Sequence, residues 1–179
     1  MPTINITIDL DSELARVREA LGDMRKRAPM VIRTAVNNTA KKAKNMDDRI
    51  TKKTYTAKGD INNLQLKKAT TANLIAELRD KGGAIPMSHF SHYAGKRVGV
   101  SAVINTKKGR KRIGKYGNKA FLYNTIMVRM TSKRLPIEKM MSLTSPTAHY
   151  NRYTWATIED EIRAMLHDSI DSELERLLN

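Results

Sequence analysis

"RVGVSAVINTKKGRKRIGKYGNKAFLYN", residues 97–124, decides the fold. Val98, Val100, Ala102 and Ile104 fall on one face at a period of two, which is the mark of a strand. The segment after this strand has two readings. "GRKRIGKY", residues 109–116, is Gly, four residues, then Gly-Lys, and matches a phosphate-binding loop up to its last position. Tyr116 stands there in place of the Ser or Thr whose hydroxyl would meet magnesium. Such a loop also needs a helix directly after its Lys, because the helix N-terminus supplies amides and dipole to the phosphates. Gly117-Asn118 occupy that position, and the variable positions Arg110, Lys111, Arg112 and Ile113 crowd cations where a tight cradle is required. The stretch therefore reads as a hairpin: strand, basic tip, and "AFLYN" (120–124) returning as a strand. No nucleotide and no other cofactor is expected.

The basic tip, about residues 105–119, carries Lys107, Lys108, Arg110, Lys111, Arg112, Lys115 and Lys119 and not one acid. A tract of this kind repels itself, so it is expected to protrude from the core, with its glycines keeping it flexible. The cations are candidate contacts for DNA phosphates or for an acidic protein partner. Phosphate neutralisation would release counterions and give salt-sensitive, sequence-independent binding. Tyr116 is the one aromatic in the tract on which a base could stack.

Outward from this centre, "AFLYN" and "TIMVRM" (125–130) form two strands with a tight connection near Asn124-Thr125. "INNLQLKKAT" and "ANLIAELRD" read as two short strands around Thr70-Thr71, the second ended by Gly82-Gly83. At the start, Ile4, Ile6, Ile8 and Leu10 alternate with polar residues as a half-buried strand. Asp11 or Ser12 is a plausible cap for a helix striped with Leu14, Val17, Leu21 and Met24. Pro29 suits the first turn of a second helix that begins near Ala28. Its stripe is Ile32, Val36, Ala40, Ala43, Met46 and Ile50, and its pattern fades at Thr51. Arg33, Lys41, Lys44 and Asp48 lie opposite, and the Ala positions invite close approach by another element. Pro136 and Pro146 punctuate the chain before a long last helix, about residues 154–178, striped with Trp155, Ile158, Ile162, Leu166, Ile170, Leu174 and Leu177. Helices at both ends of an antiparallel meander define an α+β fold, and 179 residues suit a single domain.

Charge is unevenly distributed. The net charge is +15, yet residues 81–153 hold fifteen Lys and Arg against one acid, Glu138, a balance of +14. From Thr154 onward two basic residues face seven acids, a balance of −5. Such clustering points to a polyanion or to an acidic protein neighbour. Glu159, Asp160, Asp168, Asp171 and Glu175 of the last helix are candidate subunit-interface residues. No Cys is present, which excludes thiol nucleophiles, thiolate metal sites and disulfides. The N-terminal stretch lacks the pattern of a signal peptide, and no apolar run reaches the ~20 residues of a membrane helix. A soluble protein without membrane contact is expected.

Candidate catalytic groups are few. His89 and His92 are three apart, a two-ligand pair with no third ligand nearby, so no metal site is expected. His149 and His167 are isolated in sequence. The acids of the last helix lie opposite its apolar stripe, as surface charge does. No Ser–His–acid set or paired carboxylate emerges, so the chain reads as a non-enzyme.

The order of segments resembles a known family. The points of likeness are "IPMSHF" (85–90), "AFLYN" (120–124), Arg129 and "RLPIEKMMSLTSP" (134–146), set between an Ala-, Asn- and Lys-rich helix and a last helix. This resembles the minor tail protein Z, or tail-completion, family of tailed bacteriophages, from about the second helix to the C-terminus. One departure is the short turn in "AFLYNTIMVRM", which lacks an expected Gly. The resemblance implies a structural virion protein at the head-proximal end of the tail, assembled in the host cytoplasm. It implies a ring, hexameric in the first instance, around the channel for genomic double-stranded DNA, with neighbouring tail and connector proteins as partners. Unlike patches of opposite charge suit head-to-tail contacts in a closed ring. The alternative is a free-standing, sequence-nonspecific nucleic-acid-binding protein that uses the basic hairpin together with Lys41 and Lys44.

Overall fold

A computed structural model describes residues 3–4, 10–58, 61, 64–149 and 152–179. The chain runs β1 (Thr3–Ile4), α1 (Leu10–Leu21), α2 (Ala28–Thr54), β2 (Leu64–Lys67), β3 (Glu77–Asp80), β4 (Ala84–Pro86), β5 (Ser91–Gly95) and β6 (Gly99–Val103). It continues with β7 (Lys111–Arg112), β8 (Gly114–Lys115), β9 (Asn118–Lys119), β10 (Phe121–Tyr123), β11 (Thr125–Arg129), β12 (Ile137–Lys139), β13 (Met141–Thr144), α3 (Ser145–His149) and α4 (Arg152–Leu178). All named strand pairs are antiparallel, and with the flanking helices this is an α+β fold. The chain divides into two compact units, residues 1–48, 64–81 and 151–179 in the first, 49–63 and 82–150 in the second.

The first unit is helical with one small sheet, ordered β1-β3-β2. The expected N-terminal strand is seen at Thr3–Ile4, and Asn5–Asp9 lie outside the described residues. Helix α1 is described from Leu10, and Asp11 and Ser12 lie in its first turn. Asp11 and Glu13 there still complement the positive end of the helix dipole. One buried cluster joins Val17 and Leu21 of α1, Ile32 of α2 and Leu166, Ile170 and Leu174 of α4, all on the stripes read from sequence, with Ala28, Val31 and Ala35 of α2, which were not. Val36, Met46 and Ile50 of the expected α2 stripe are only half-buried, because the buried face of α2 is turned away from them. Burying each large aliphatic side chain contributes about 1.5–3 kcal/mol. Between α2 and α4, Thr39 Oγ1 donates to Ser169 Oγ at 3.3 Å. On another side of α2, Asn37 clamps the segment after β2. Its Nδ2 donates to the Ala69 carbonyl at 3.1 Å, and its Oδ1 accepts from the Ala69 amide at 2.8 Å.

Helix α2 continues to Thr54, one turn beyond the fading of its apolar stripe, and this last turn belongs to the second unit. Thr51 is buried there. Its hydroxyl meets His149 Nδ1 at 3.3 Å, while His149 Nε2 donates to the Ile61 carbonyl at 3.2 Å. His149, isolated in sequence, is thus a fully buried, hydrogen-bonded core residue. The cause is tertiary: α3 brings it against a helix turn almost a hundred residues earlier. Phe90, Val100, Ala102, Ala120, Ile126, Val128 and Met140 belong to the second unit's apolar core.

Five strand pairings in this unit lie outside the sequence reading: β5 with β6, β6 with β7, β8 with β9, β11 with β12, and β13 with β4. Single backbone bonds join these small sheets, among them Val100 amide to Ala120 carbonyl at 3.1 Å and Met140 amide to Ile126 carbonyl at 2.9 Å. The β10–β11 turn consists of Asn124 alone, with φ of 44°. Asn tolerates this left-handed conformation because its side chain bonds locally, so the turn closes without a Gly.

Candidate anion-binding surface

The basic tract, expected as one protruding flexible hairpin, is divided and folded back. Its first part is a 3-10 turn at Thr106–Lys108. Thr106 Oγ1 donates to the Lys53 and Thr54 carbonyls, both at 3.2 Å, and Asn105 Oδ1 accepts from the Lys107 amide at 2.8 Å. Lys107 and Lys108 are thereby placed beside the C-terminus of α2, where the helix dipole favours cations. Gly109, at φ 66°, turns the chain back. Lys111 and Arg112 then pair with Ala102 and Ser101 of β6. Ile113 packs against the core, with its amide on the Val100 carbonyl at 2.9 Å. Ile113 thus anchors the middle of the tract, since an apolar side chain gains by leaving water even among cations.

The second part is a two-residue hairpin, β8–β9. Tyr116 and Gly117, at φ 54° and 74°, form a turn of the kind that matches strand twist. No helix follows Lys115, and Lys119 is already in the returning strand. Gly114 has a steric role, because a Cβ there would lie 2.5 Å from the Asn118 carbonyl oxygen. The glycines of the tract serve shape rather than flexibility.

This tip is tied down by the one acid of its segment. Glu138 accepts from Lys115 Nζ at 3.0 Å and from the Tyr116 hydroxyl at 3.0 Å. Lys115 Nζ also sits 4.6 Å from the Tyr116 ring centre. Lys115, followed by Tyr116, holds the Glu138 carboxyl below the usual carboxylate range. Tyr116, followed by Glu138, raises Lys115 above the usual lysine range. Asn118 Nδ2 adds bonds to the Arg129 and Thr131 carbonyls at 3.0 and 3.1 Å.

All seven candidate cations are exposed. Lys115 is neutralised by Glu138, and among the described residues none of the other six forms an ion pair. Arg110 Nη1 reaches the Ser101 carbonyl at 3.5 Å, which keeps its guanidinium on the β6 side. Two further cations absent from the sequence reading, Lys96 and Arg97, are exposed in the turn between β5 and β6 of the same unit. The signal for them was "GKRVG", a basic turn framed by glycines.

The acidic candidates belong to the first unit. On α4, Glu159 pairs with Arg163 at 3.0 Å and Asp171 with Arg16 at 2.9 Å, while Asp160, Asp168 and Glu175 are exposed. His167 Nδ1 is 3.2 Å from Glu13 Oε1, so this histidine too has a partner. His92 Nδ1 lies 2.8 Å from the Phe90 carbonyl. Among the described residues no group of three metal-type ligands occurs, and no helix is long and apolar enough to cross a membrane. Comparison with protein-family models, with curated proteins and with solved structures gives no match.

Proposed function

We propose that the chain is a structural, non-enzymatic tail-completion subunit of a tailed bacteriophage. In this reading it forms a ring at the head-proximal end of the tail and turns its basic surface to the DNA. One observation carries the choice of DNA: Lys107, Lys108, Arg110, Lys111, Arg112 and Lys119 are exposed, form no ion pair among the described residues, and lie along a tract anchored by Thr106 and Ile113. A fixed array of cations suits a regular line of phosphates. The resemblance of segment order supplies the tail context. The exposed acids Asp160, Asp168 and Glu175 supply a complementary patch for an adjoining subunit.

Electron microscopy of particles made without this protein tests the reading, with tails that fail to join heads as the expected result. Normal joining and DNA delivery would overturn it. Replacing Arg110, Lys111 and Arg112 by Ser should leave assembly intact and release DNA from the neck. Failed assembly would instead assign these cations to an acidic protein neighbour. The second reading, a free-standing DNA-binding protein, rests on the same array and predicts duplex binding by the isolated monomer. A monomer that retards no duplex at low salt removes it.

A further inference from the structure

We propose that the outer face of the β5–β6–β7 sheet binds single-stranded nucleic acid, with Tyr93 as the ring on which a base stacks and Arg112 and Arg110 as the phosphate partners. This rests on the basic-surface half of the proposed function. Tyr93 pairs with Ser101, and Ser101 pairs with Arg112. Directly opposed residues of antiparallel strands share a face. Tyr93, Ser101 and Arg112 therefore form one row across three strands. The neighbours of Ser101 on β6, Val100 and Ala102, are buried, so the row looks away from the core. Strands ~4.8 Å apart set the Tyr93 and Arg112 backbones about 10 Å apart, with only a small Ser between them.

The ring is seated. A methyl group added at Gly95 would lie 3.4 Å from Tyr93 Cε1, 3.9 Å from its hydroxyl oxygen and 2.6 Å from Val98 Cγ2. The ring thus runs along the strand over Gly95, beside Val98, and Gly95 is paired with Gly99, which has no side chain either. Tyr93 remains 61% exposed, which leaves ring surface open to a base. Tyr116, the aromatic singled out by the sequence, is in a different state. Its hydroxyl is held by Glu138, a carboxylate that repels phosphate. In a duplex the base faces are covered by their neighbours, so an aromatic ring on a basic sheet selects unpaired bases and does so with little regard to sequence.

Fluorescence anisotropy with a labelled short oligothymidylate and a mixed-sequence duplex tests this on the full chain. Tyr93→Ala should weaken oligothymidylate binding about 5- to 150-fold and leave duplex binding unchanged. Tyr93→Phe should keep wild-type affinity for both, since it keeps the ring. Arg110→Ser with Arg112→Ser should weaken both ligands and flatten the salt dependence. If Tyr93→Ala leaves oligothymidylate affinity unchanged while the arginine variant loses it, stacking is wrong and the basic surface stands. If the wild-type protein binds neither ligand at low salt, the basic-surface reading fails as well. Tyr93 is exposed, so unchanged circular dichroism of the variants is expected and confirms that folding is not the cause.

Discussion

At the scale of single residues, Glu138 clasps Lys115 and Tyr116. It is the sole acid among residues 81–153, and it is applied to the tip of the basic tract. Its carboxyl is depressed by Lys115 and Tyr116, so it binds its proton more weakly when folded than when unfolded. The clasp is then fully present above the ordinary Glu value and is lost as pH falls through the lower, folded value. A pH titration of the Tyr116 ring signals by NMR should show a midpoint below the usual Glu range. Glu138→Gln should abolish that transition, and a wild-type midpoint at or above the usual range would refute the clasp. Gly117 offers a second test. At φ 74° it has open space around it, so Gly117→Ala meets only the left-handed backbone penalty of about 1–2 kcal/mol. Gly117→Asn should lose less, because Asn enters this conformation readily. Urea unfolding of both variants measures the order, and equal losses would contradict it.

At the scale of elements, α4 follows the stripe read from sequence, whereas α2 buries Val31, Ala35 and Thr39 and leaves Val36, Met46 and Ile50 half-buried. The α4 residues Ile158, Ile162, Leu166, Ile170 and Leu174 are all buried, at the spacing of four that the sequence displays. Ile170→Ala should therefore destabilise by about 2–5 kcal/mol in urea unfolding. Asn37 was not legible in this way, because its partner is the backbone of Ala69, 32 residues on. Asn37→Asp cannot donate to the Ala69 carbonyl and should lose about 1–3 kcal/mol by the same measurement. A neutral result would show that the clamp contributes nothing. Strand β5 escaped the sequence reading for a related reason. "SHYAG" has no apolar alternation, and all five residues are at least partly exposed. Its extended form comes from pairing with β6 rather than from its own pattern.

At the scale of the molecule, the charge asymmetry was plain in the sequence and its use was not. Counting cations places +14 within residues 81–153, but counting does not say which of them are neutralised. The fold removes Lys115, fixes Lys107 and Lys108 beside the end of α2, and brings Lys96 and Arg97 into the same unit. Substituting Arg110, Lys111 and Arg112 together should lower the slope of log affinity against log salt by about 2–3 for duplex DNA. Anisotropy over a salt series measures it. An unchanged slope would mean that these three contact no phosphate.

Local pattern alone was enough to read the α+β class, the buried stripe of the last helix, the antiparallel "AFLYN"–"TIMVRM" pair and the absence of a helix after Lys115. Each of these depends on local period or on local turn chemistry, which a single chain displays in full. Only the tertiary structure decided that the basic tract folds back, that Ile113 anchors it, that Glu138 holds its tip and that Tyr93 shares a row with Arg112. Those outcomes are set by strand register and by pairs distant in sequence, where a shift of one residue sends every side chain to the opposite face.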